Sequence, residues 1–550
     1  MDAPLARPLR LWRTVRHLRP AQVYGRPWFR LARPRPDLSP APALRHAQGV
    51  WQAPARRRAS LTGPGVFCYL NEAGSLADHG WDGPAKTRLW RYNQHYFDDL
   101  NADGSSQRID WHRALISGWI AANPPGHGTG WEPYPASLRI VNWVKWALAG
   151  NNLPENTRHS LAVQTRWLAR RLEWHLLGNH LFANAKALVF AGLYFDGSEA
   201  EHWLAKGQRI LDREISEQIL PDGGQFELSP MYHALALEDM LDLVNLARTF
   251  GRDDLAAEWG MCIPAMLDWL LAMSHSDGGI AFFNDAAFGI APENAQLLAY
   301  ARRLGCETLQ APGGLRRLKP SGYVRLSAGP AVVIADLARI GPDYLPGHAH
   351  ADTLSFELSL EGRRIIVNSG TSVYGTGPER LRQRGTAAHS TLMVDGRDSS
   401  EVWSGFRVGR RARPVDIETE EREGTRIARA AHDGYRHLPG APLHRREWRL
   451  DADCLTITDR VEGAGRHRIE ARFHLGASLS ARLTASDRLE LRDDDARCIL
   501  RVAIDGGETE ILPSSWHPEF GRTIETQCIR VTADANLPCS LQVLLDWNGQ

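Results

Sequence analysis

The 550-residue chain is predicted to be an α+β multidomain protein in which a helical half precedes an antiparallel β half. Three observations carry the prediction. From about Ser105 to Ala311 apolar residues recur at spacings of three and four with no strand pattern between them. After Pro320 the period shortens to that of strands, through Tyr323, Val324, Leu326, Val332, Val333 and Ile334. Turn residues then recur at short intervals (Gly396-Arg397, Asp433-Gly434, Glu462-Gly463, Asp505-Gly506), as an antiparallel sandwich requires.

Taken in order, the chain opens on a basic segment, residues 1–60, with 13 arginines up to Arg58 against two acids, Asp2 and Asp37. Arginine interrupts every apolar run, so no cleavable export signal is expected. Leu11, Val15 and Leu18 fit a short amphipathic helix, either lying on an anionic membrane surface or acidic partner, or packed on its own domain as a solvated basic face. The expected location is cytoplasmic, at the inner membrane surface through this helix, with a periplasmic protein as the alternative. Pro34 to Ala55 reads as linker or irregular coil.

A helical domain is expected over 61–318 and a sandwich over 319–550. Trp90 to Leu100 gathers aromatic and amide side chains, among them Asn93, His95 and Tyr96, and is either a sugar-contacting surface or an aromatic core at a domain seam. Ser137–Ala149 is a predicted helix capped by Gly150; Leu161, Leu168, Leu172 and Leu176 form a further stripe, as do Trp203 to Ile215, Met231 to Phe250 and Ala256 to Met273. Long paired helices without strands suggest an α/α toroid. Further strands are expected at Ser390–Val394, Trp448–Ile457, Ile469–Leu475 and Cys498–Ile504.

Composition excludes some classes of function. A net charge of +1 offers no global basic field for nucleic acid. The seven cysteines are scattered without a CxxC pair, which indicates reduced structural thiols rather than a disulfide framework or a thiolate zinc site. No run of about 18 apolar residues is present to form a transmembrane helix.

Three segments carry candidate chemistry. His348-Ala349-His350-Ala351-Asp352 precedes the alternation Leu354, Phe356, Leu358, Leu360, a turn at Glu361-Gly362 and the return Ile365 to Val367, a β-hairpin with both imidazoles directed to one face. Asn179-His180 sits at a helix junction, and Tyr232 falls in the first turn of a helix after Pro230. Singly, each has an ordinary reading as cap, core or packing residue.

Jointly, with Ser229 to His233 and Arg384 to Leu392, these motifs resemble the heparinase II/III family of polysaccharide lyases over residues 90–450 or so, and Trp131 to Trp143 resembles exopolysaccharide-associated members. The resemblance implies an N-terminal incomplete α/α toroid followed by a C-terminal antiparallel β-sandwich, acting on an acidic polysaccharide. It implies β-elimination at a uronic acid. Asn179 would neutralise the carboxylate, His180 and Tyr232 would divide proton removal from C5 and donation to O4, and His348 would reach in from the sandwich. Trp131, Tyr134, Arg139 and His233 join Asn93, His95 and Tyr96 as candidate substrate contacts. A structural zinc would be held by His350, Asn368 and His389, where Asn368 replaces the family's aspartate; a neutral amide gives either a weak site or a metal-free cluster. A uronate C5-epimerase and a non-catalytic polysaccharide binder are the alternatives.

Overall fold

A computed structural model describes residues 6–307 and 310–548; residues 1–5, 308–309 and 549–550, which include the outer ends of the predicted segments, lie outside that description. Helices precede sheets as expected. The helix predicted at Ser137–Ala149 runs Pro133–Leu148, with prolines in its first turn where an absent N–H costs nothing, and Gly150 follows at φ 97°. Leu161 and Leu168 lie on Glu155–Ala169, whereas Leu172 and Leu176 fall in the coil beyond it. Ala256–Met273 is two helices, Asp253–Gly260 and Ile263–Ala272, because Pro264 interrupts the hydrogen-bond ladder. Among the described residues Asp253–Ala272 is the one stretch long and apolar enough to cross a membrane, but Leu255, Trp259, Ile263, Leu267 and Leu270 are buried in the helical core.

The N-terminal segment is not a separate body. Helices Ala6–Val15 and Pro20–Leu31 form an arm. The Pro34–Ala55 stretch, read as a linker, is a strap fastened to the toroid: Leu44 bridges Phe195, the Gln48 and Gly49 amides donate to Thr249 O, and the Asn245 amide clamps both backbone groups of Gln52. A small sheet of Leu61–Gly63, Val66–Tyr69 and Glu72–Ser75 opens the helical domain, a feature its helical periodicity did not show.

The β half starts earlier than position 319. Gly314–Leu318 already pairs with Tyr323–Ala328 around a turn, so the boundary lies between Arg303 and Gly314. Among the described residues two large antiparallel sheets, of nine and eight strands, face each other. The anchor hairpin is Phe356–Leu360 with Arg363–Val367, inside the larger sheet; Trp448–Ile457 is the meeting of two strands, Leu443–Leu450 and Cys454–Glu462. Phe356, Leu358 and Ile366 meet Trp448, Ile457 and Val543 between the sheets.

The larger sheet is buried on both faces, and this positions the site. In Ala331–Asp336, Val333 and Ala335 enter the sandwich core while Val332 and Ile334 pack on Trp269, Met273 and Phe283 of the helical half. Period two thus serves two cores at once. Each of these buried aliphatics contributes roughly 1.5–3 kcal/mol. On the helical side of the hairpin the same alternation presents Glu357, whose carboxylate accepts from the Phe282 and Asn368 amides and contacts His275 at 2.9 Å. The toroid loop 274–288 is thereby fixed to the sheet.

Candidate active site

Three leucines in the left-handed region flank the candidate segments: Leu177 (φ 64°) before Gly178-Asn179-His180, Leu228 (φ 61°) before Ser229, and Leu354 (φ 64°) after Thr353. Such backbone costs about 1–3 kcal/mol per residue and persists where the surroundings over-determine it. Here all three side chains are buried in cores. Gly178 (φ 56°) takes a backbone conformation that a Cβ would strain, and a Cβ there would also displace Leu345 Cδ2, 2.3 Å away. Ser229 Oγ caps the next helix by accepting from the Tyr232 N–H at 3.2 Å, which places Tyr232 in the first turn as expected.

These turns surround a cleft of about 1770 Å³ between toroid and sandwich, lined by Asn179, His180, Glu227, Tyr232, His348 and Tyr374 among others. All four predicted catalytic residues meet there. The Tyr232 ring stacks on the His348 imidazole with centroids 4.0 Å apart, and its hydroxyl lies 3.0 Å from the Tyr374 hydroxyl. Burial, then the neighbouring Tyr374 and Glu227, push the Tyr232 hydroxyl well above the ordinary tyrosine range, so it is held as a proton donor. His180 Nδ1 faces Glu173 Oε2 at 3.2 Å. Burial disfavours its imidazolium, but the Glu173 carboxylate outweighs that and raises the His180 pKa. The Asn179 amide makes no hydrogen bond to any of the described residues and remains available to a ligand.

His348 is oriented from behind by a residue that sequence reading missed. Asp285, in loop 274–288 and fully buried, accepts from His348 Nδ1 at 2.8 Å, His350 Nε2 at 2.9 Å and both Arg380 Nη groups. Burial raises its pKa, yet Arg380 and the two histidines more than compensate and hold the carboxylate well below the usual range. The His-x-His pair therefore converges on one carboxylate, from coil rather than from a strand. Ahead of His348, Glu227 Oε2 lies 3.5 Å from Nε2 and has no hydrogen-bond partner, although Glu227 is 1% exposed. Burial pushes this carboxyl up. Asp285, Glu227, Glu173, Tyr374 and Arg380 gave no local signal; Glu227 lies just two residues before the Ser229–His233 motif without belonging to it.

The predicted substrate contacts divide. Asn93, Tyr96 and Tyr134 line the cleft, with Tyr134 4.5 Å from the His180 ring. Trp131 also reaches the wall but is mostly buried between Trp119 and Trp167. Three expectations are corrected. His95 is a core residue that accepts from Trp119 Nε1–H at 2.9 Å, and burial lowers its pKa to about 3. The Arg139 guanidinium is buried on the Trp119 ring and donates to Gln164, His95 O and Gly130 O. His233 is buried against Trp269 and hydrogen-bonded to Met266 O, with burial lowering its pKa to about 3. All three are buried inside the toroid, away from the cleft, each with at least one hydrogen-bond partner, although His95 Nε2 and His233 Nδ1 have none among the described residues.

The expected metal ligands are also corrected at one position. Asn368 is spent on backbone: Nδ2 donates to Phe282 O at 2.9 Å and Oδ1 accepts from Ser390 N at 3.0 Å. Asp352 could take its place, since ligand atoms of His350, Asp352 and His389 all lie within 4.8 Å of one another. The hydrogen-bond partners leave room for a cation there. His389 Nδ1 faces Gly385 O at 2.8 Å and must carry its hydrogen, and His350 Nε2 must carry one toward Asp285. The remaining nitrogens, His350 Nδ1 and His389 Nε2, then face each other at 3.1 Å as two lone pairs, which a shared cation reconciles. Two neutral imidazoles and a carboxylate suit zinc.

Comparison with known proteins agrees with this geometry. Residues 106–300 match the model described as "Heparinase II/III N-terminus" and residues 310–544 the one described as "Heparinase II/III-like, C-terminal". The chain is 26% identical over 321 residues to a heparin-sulfate lyase of Bacteroides stercoris, covering 54% of this chain and 46% of that protein. It is 28% identical over 243 residues to a heparin-sulfate lyase of Pedobacter heparinus, covering 40% and 36%. The chain thus spans half or less of these curated relatives. Among solved structures, heparinase III superposes with a TM-score of 0.65 at 18% identity, over 84% of this chain and 77% of that one. The heparan sulfate lyase of Pedobacter heparinus does so with 0.59 at 18%, over 88% and 82%. Those two likenesses bear on the fold and agree with an α/α toroid joined to a β-sandwich. With both halves matched in order over most of its length, the chain belongs to the heparinase II/III family.

Proposed function

We propose that this protein is a polysaccharide lyase that cleaves a uronic-acid-containing acidic polysaccharide by β-elimination. The observation that carries the reading is the meeting, in one cleft, of an unpartnered amide, a carboxylate-backed imidazole and a buried phenol: Asn179, His180 with Glu173, and Tyr232 on His348. The C5 proton of a uronate is weakly acidic while its carboxylate stays charged. Asn179 would donate to that carboxylate and stabilise the enolate-like intermediate. His180, its Nδ1 committed to Glu173, would use Nε2 as the base at C5. Tyr232, held protonated, would donate to the departing O4. The C5–H electrons form the C4–C5 double bond as the C4–O bond breaks, so one proton leaves to His180 and another arrives from Tyr232. Zinc at His350, Asp352 and His389 would act structurally, fixing His350 and through it the Asp285 carboxylate behind His348.

A C5-epimerase would use the same first half-reaction and return the proton to C5. The test is incubation with a panel of acidic polysaccharides in deuterated water. A lyase yields ultraviolet absorbance from an unsaturated uronate; deuterium at C5 without chain cleavage would identify an epimerase; neither signal on any polymer would leave a binding protein.

A further inference from the structure

The second helix of the arm, Pro20–Leu31, is amphipathic the wrong way round. A helix laid on a domain normally buries its apolar stripe. Here Val23, Tyr24, Trp28 and Leu31 face solvent, while Gln22, Arg26 and Arg30, at helical spacings of four, line the active-site cleft, joined just past the helix end by Arg33. The arm is held in that pose from both sides. On the toroid, Arg19 pairs with Glu217 and Phe29 packs on His175 with ring centroids 4.2 Å apart; Arg19 also lies over the ring of Tyr344, in the β half, at 3.7 Å. On the sandwich, Arg10 Nε donates to Glu401 at 2.9 Å and Trp403 Nε1 to Thr14 Oγ1 at 3.1 Å.

The cleft-facing charges are unmatched. Five acids on the same walls have their own cations: Glu132 with Arg88, Glu173 with His180, Asp239 with Lys186, Asp343 with Arg411 and Glu519 with Arg58. Arg26, Arg30 and Arg33 have no acidic partner among the described residues. Guanidinium groups present paired donors to carboxylate or sulfate. We propose that Arg26, Arg30 and Arg33 form an anion subsite for the substrate polymer, away from the reacting bond, on an arm that lies outside the segments shared with the family. The inference rests on the acidic-polysaccharide reading but not on the elimination step.

Direct binding separates the two. In Tyr232→Phe protein, titrations of a labelled oligogalacturonate and a labelled heparin oligosaccharide are compared with and without the combined change R26Q, R30Q and R33Q, over a range of salt. The combined variant is expected to raise Kd about 3- to 100-fold, three exposed ion pairs' worth, and to flatten the salt dependence, with no change in melting temperature. Loss on the sulfated probe alone assigns the subsite to sulfate; loss on both assigns it to carboxylate. The charge-keeping R26K, R30K and R33K variant retains most of the affinity. Equal Kd and equal salt slope in the glutamine variant, or no binding of either probe by protein with the arginines intact, would overturn the inference. Absence of cleavage by the unmodified protein with the binding pattern intact would overturn only the lyase reading.

Discussion

Glu227→Gln should make the protein more stable and less active. In the fold Glu227 is buried, one oxygen lacks a hydrogen bond, and the other accepts only from Gln225 Nε2 at 3.3 Å. Its folded pKa is raised, so between the unfolded value of about 4.3 and the raised one the native state binds more protons than the unfolded state. Stability therefore falls as pH rises through that window. A neutral amide of the same shape escapes the penalty. Leaving a buried polar group unsatisfied costs about 1–3 kcal/mol, more if charged. The gain should be of that order at neutral pH, or ~2–4 °C per kcal/mol for a domain of this size, and should vanish below about pH 4. Turnover moves the other way, because Glu227 Oε2 is the group 3.5 Å ahead of His348 Nε2. Closing that gap to a charge-assisted hydrogen bond when substrate fills the cleft would be worth ~1.5–3 kcal/mol, hence on the order of 10- to 10²-fold in kcat/KM. Calorimetry at two pH values, beside kcat/KM on a cleavable polyuronate, reads both effects. A variant that is less stable at neutral pH, or as active as the parent, would show that Glu227 is an ordinary core carboxyl.

Asn179→Ala should cost on the order of 10²–10³ in turnover and leave the melting temperature unchanged, since the amide bonds none of the described residues; an equal loss of stability would mark it as structural. As the base, His180 must be neutral, so kcat/KM should climb as pH passes the raised His180 pKa, above about 6.5, while the Glu173–His180 pair's stabilisation is full below that value and lost over the same rise. Glu173→Gln removes the charge that raises it and should shift the pH–rate profile to lower pH; an unmoved profile would exclude His180 as the titrating base. Protein purified without added metal should contain about one zinc per chain by elemental analysis, and Asp352→Asn should lose it, whereas full zinc in that variant would remove Asp352 from the ligand set.

How far these assignments were visible in advance depended on whether a signal was local. Helix and strand periods are local, so the order of the halves was legible, as were the junction before Asn179 and the capped turn bearing Tyr232. Pairing across the fold is not. Asp285 sits 63 residues from His348 in sequence, in a loop without a period, and nothing nearby marks it as the carboxylate that two imidazoles and a guanidinium share. Asp352 adjoined the histidines, yet Asn368 was preferred by family pattern; only the backbone partners of Asn368 show that its amide is occupied. His95, Arg139 and His233 misled because polar type suggests a surface, whereas each is buried inside the toroid against an aromatic ring with a backbone or indole partner. The arm was only partly legible: its first helix was expected either on an anionic surface or as a solvated basic face, and its second helix, whose Arg26 and Arg30 line the cleft, was not expected at all.

The central claim is that Tyr232 delivers the proton that lets O4 depart. Tyr232→Phe removes one hydroxyl and keeps the ring that stacks on His348. The lost contact with Tyr374 is worth about 0.5–1.5 kcal/mol, small enough for the fold to persist. Turnover of a cleavable polyuronate, followed by the absorbance of the unsaturated product, should fall by ~10²–10⁴ in protein of near-native melting temperature. Near-normal turnover in that folded variant would remove the tyrosine from the chemistry and contradict the account.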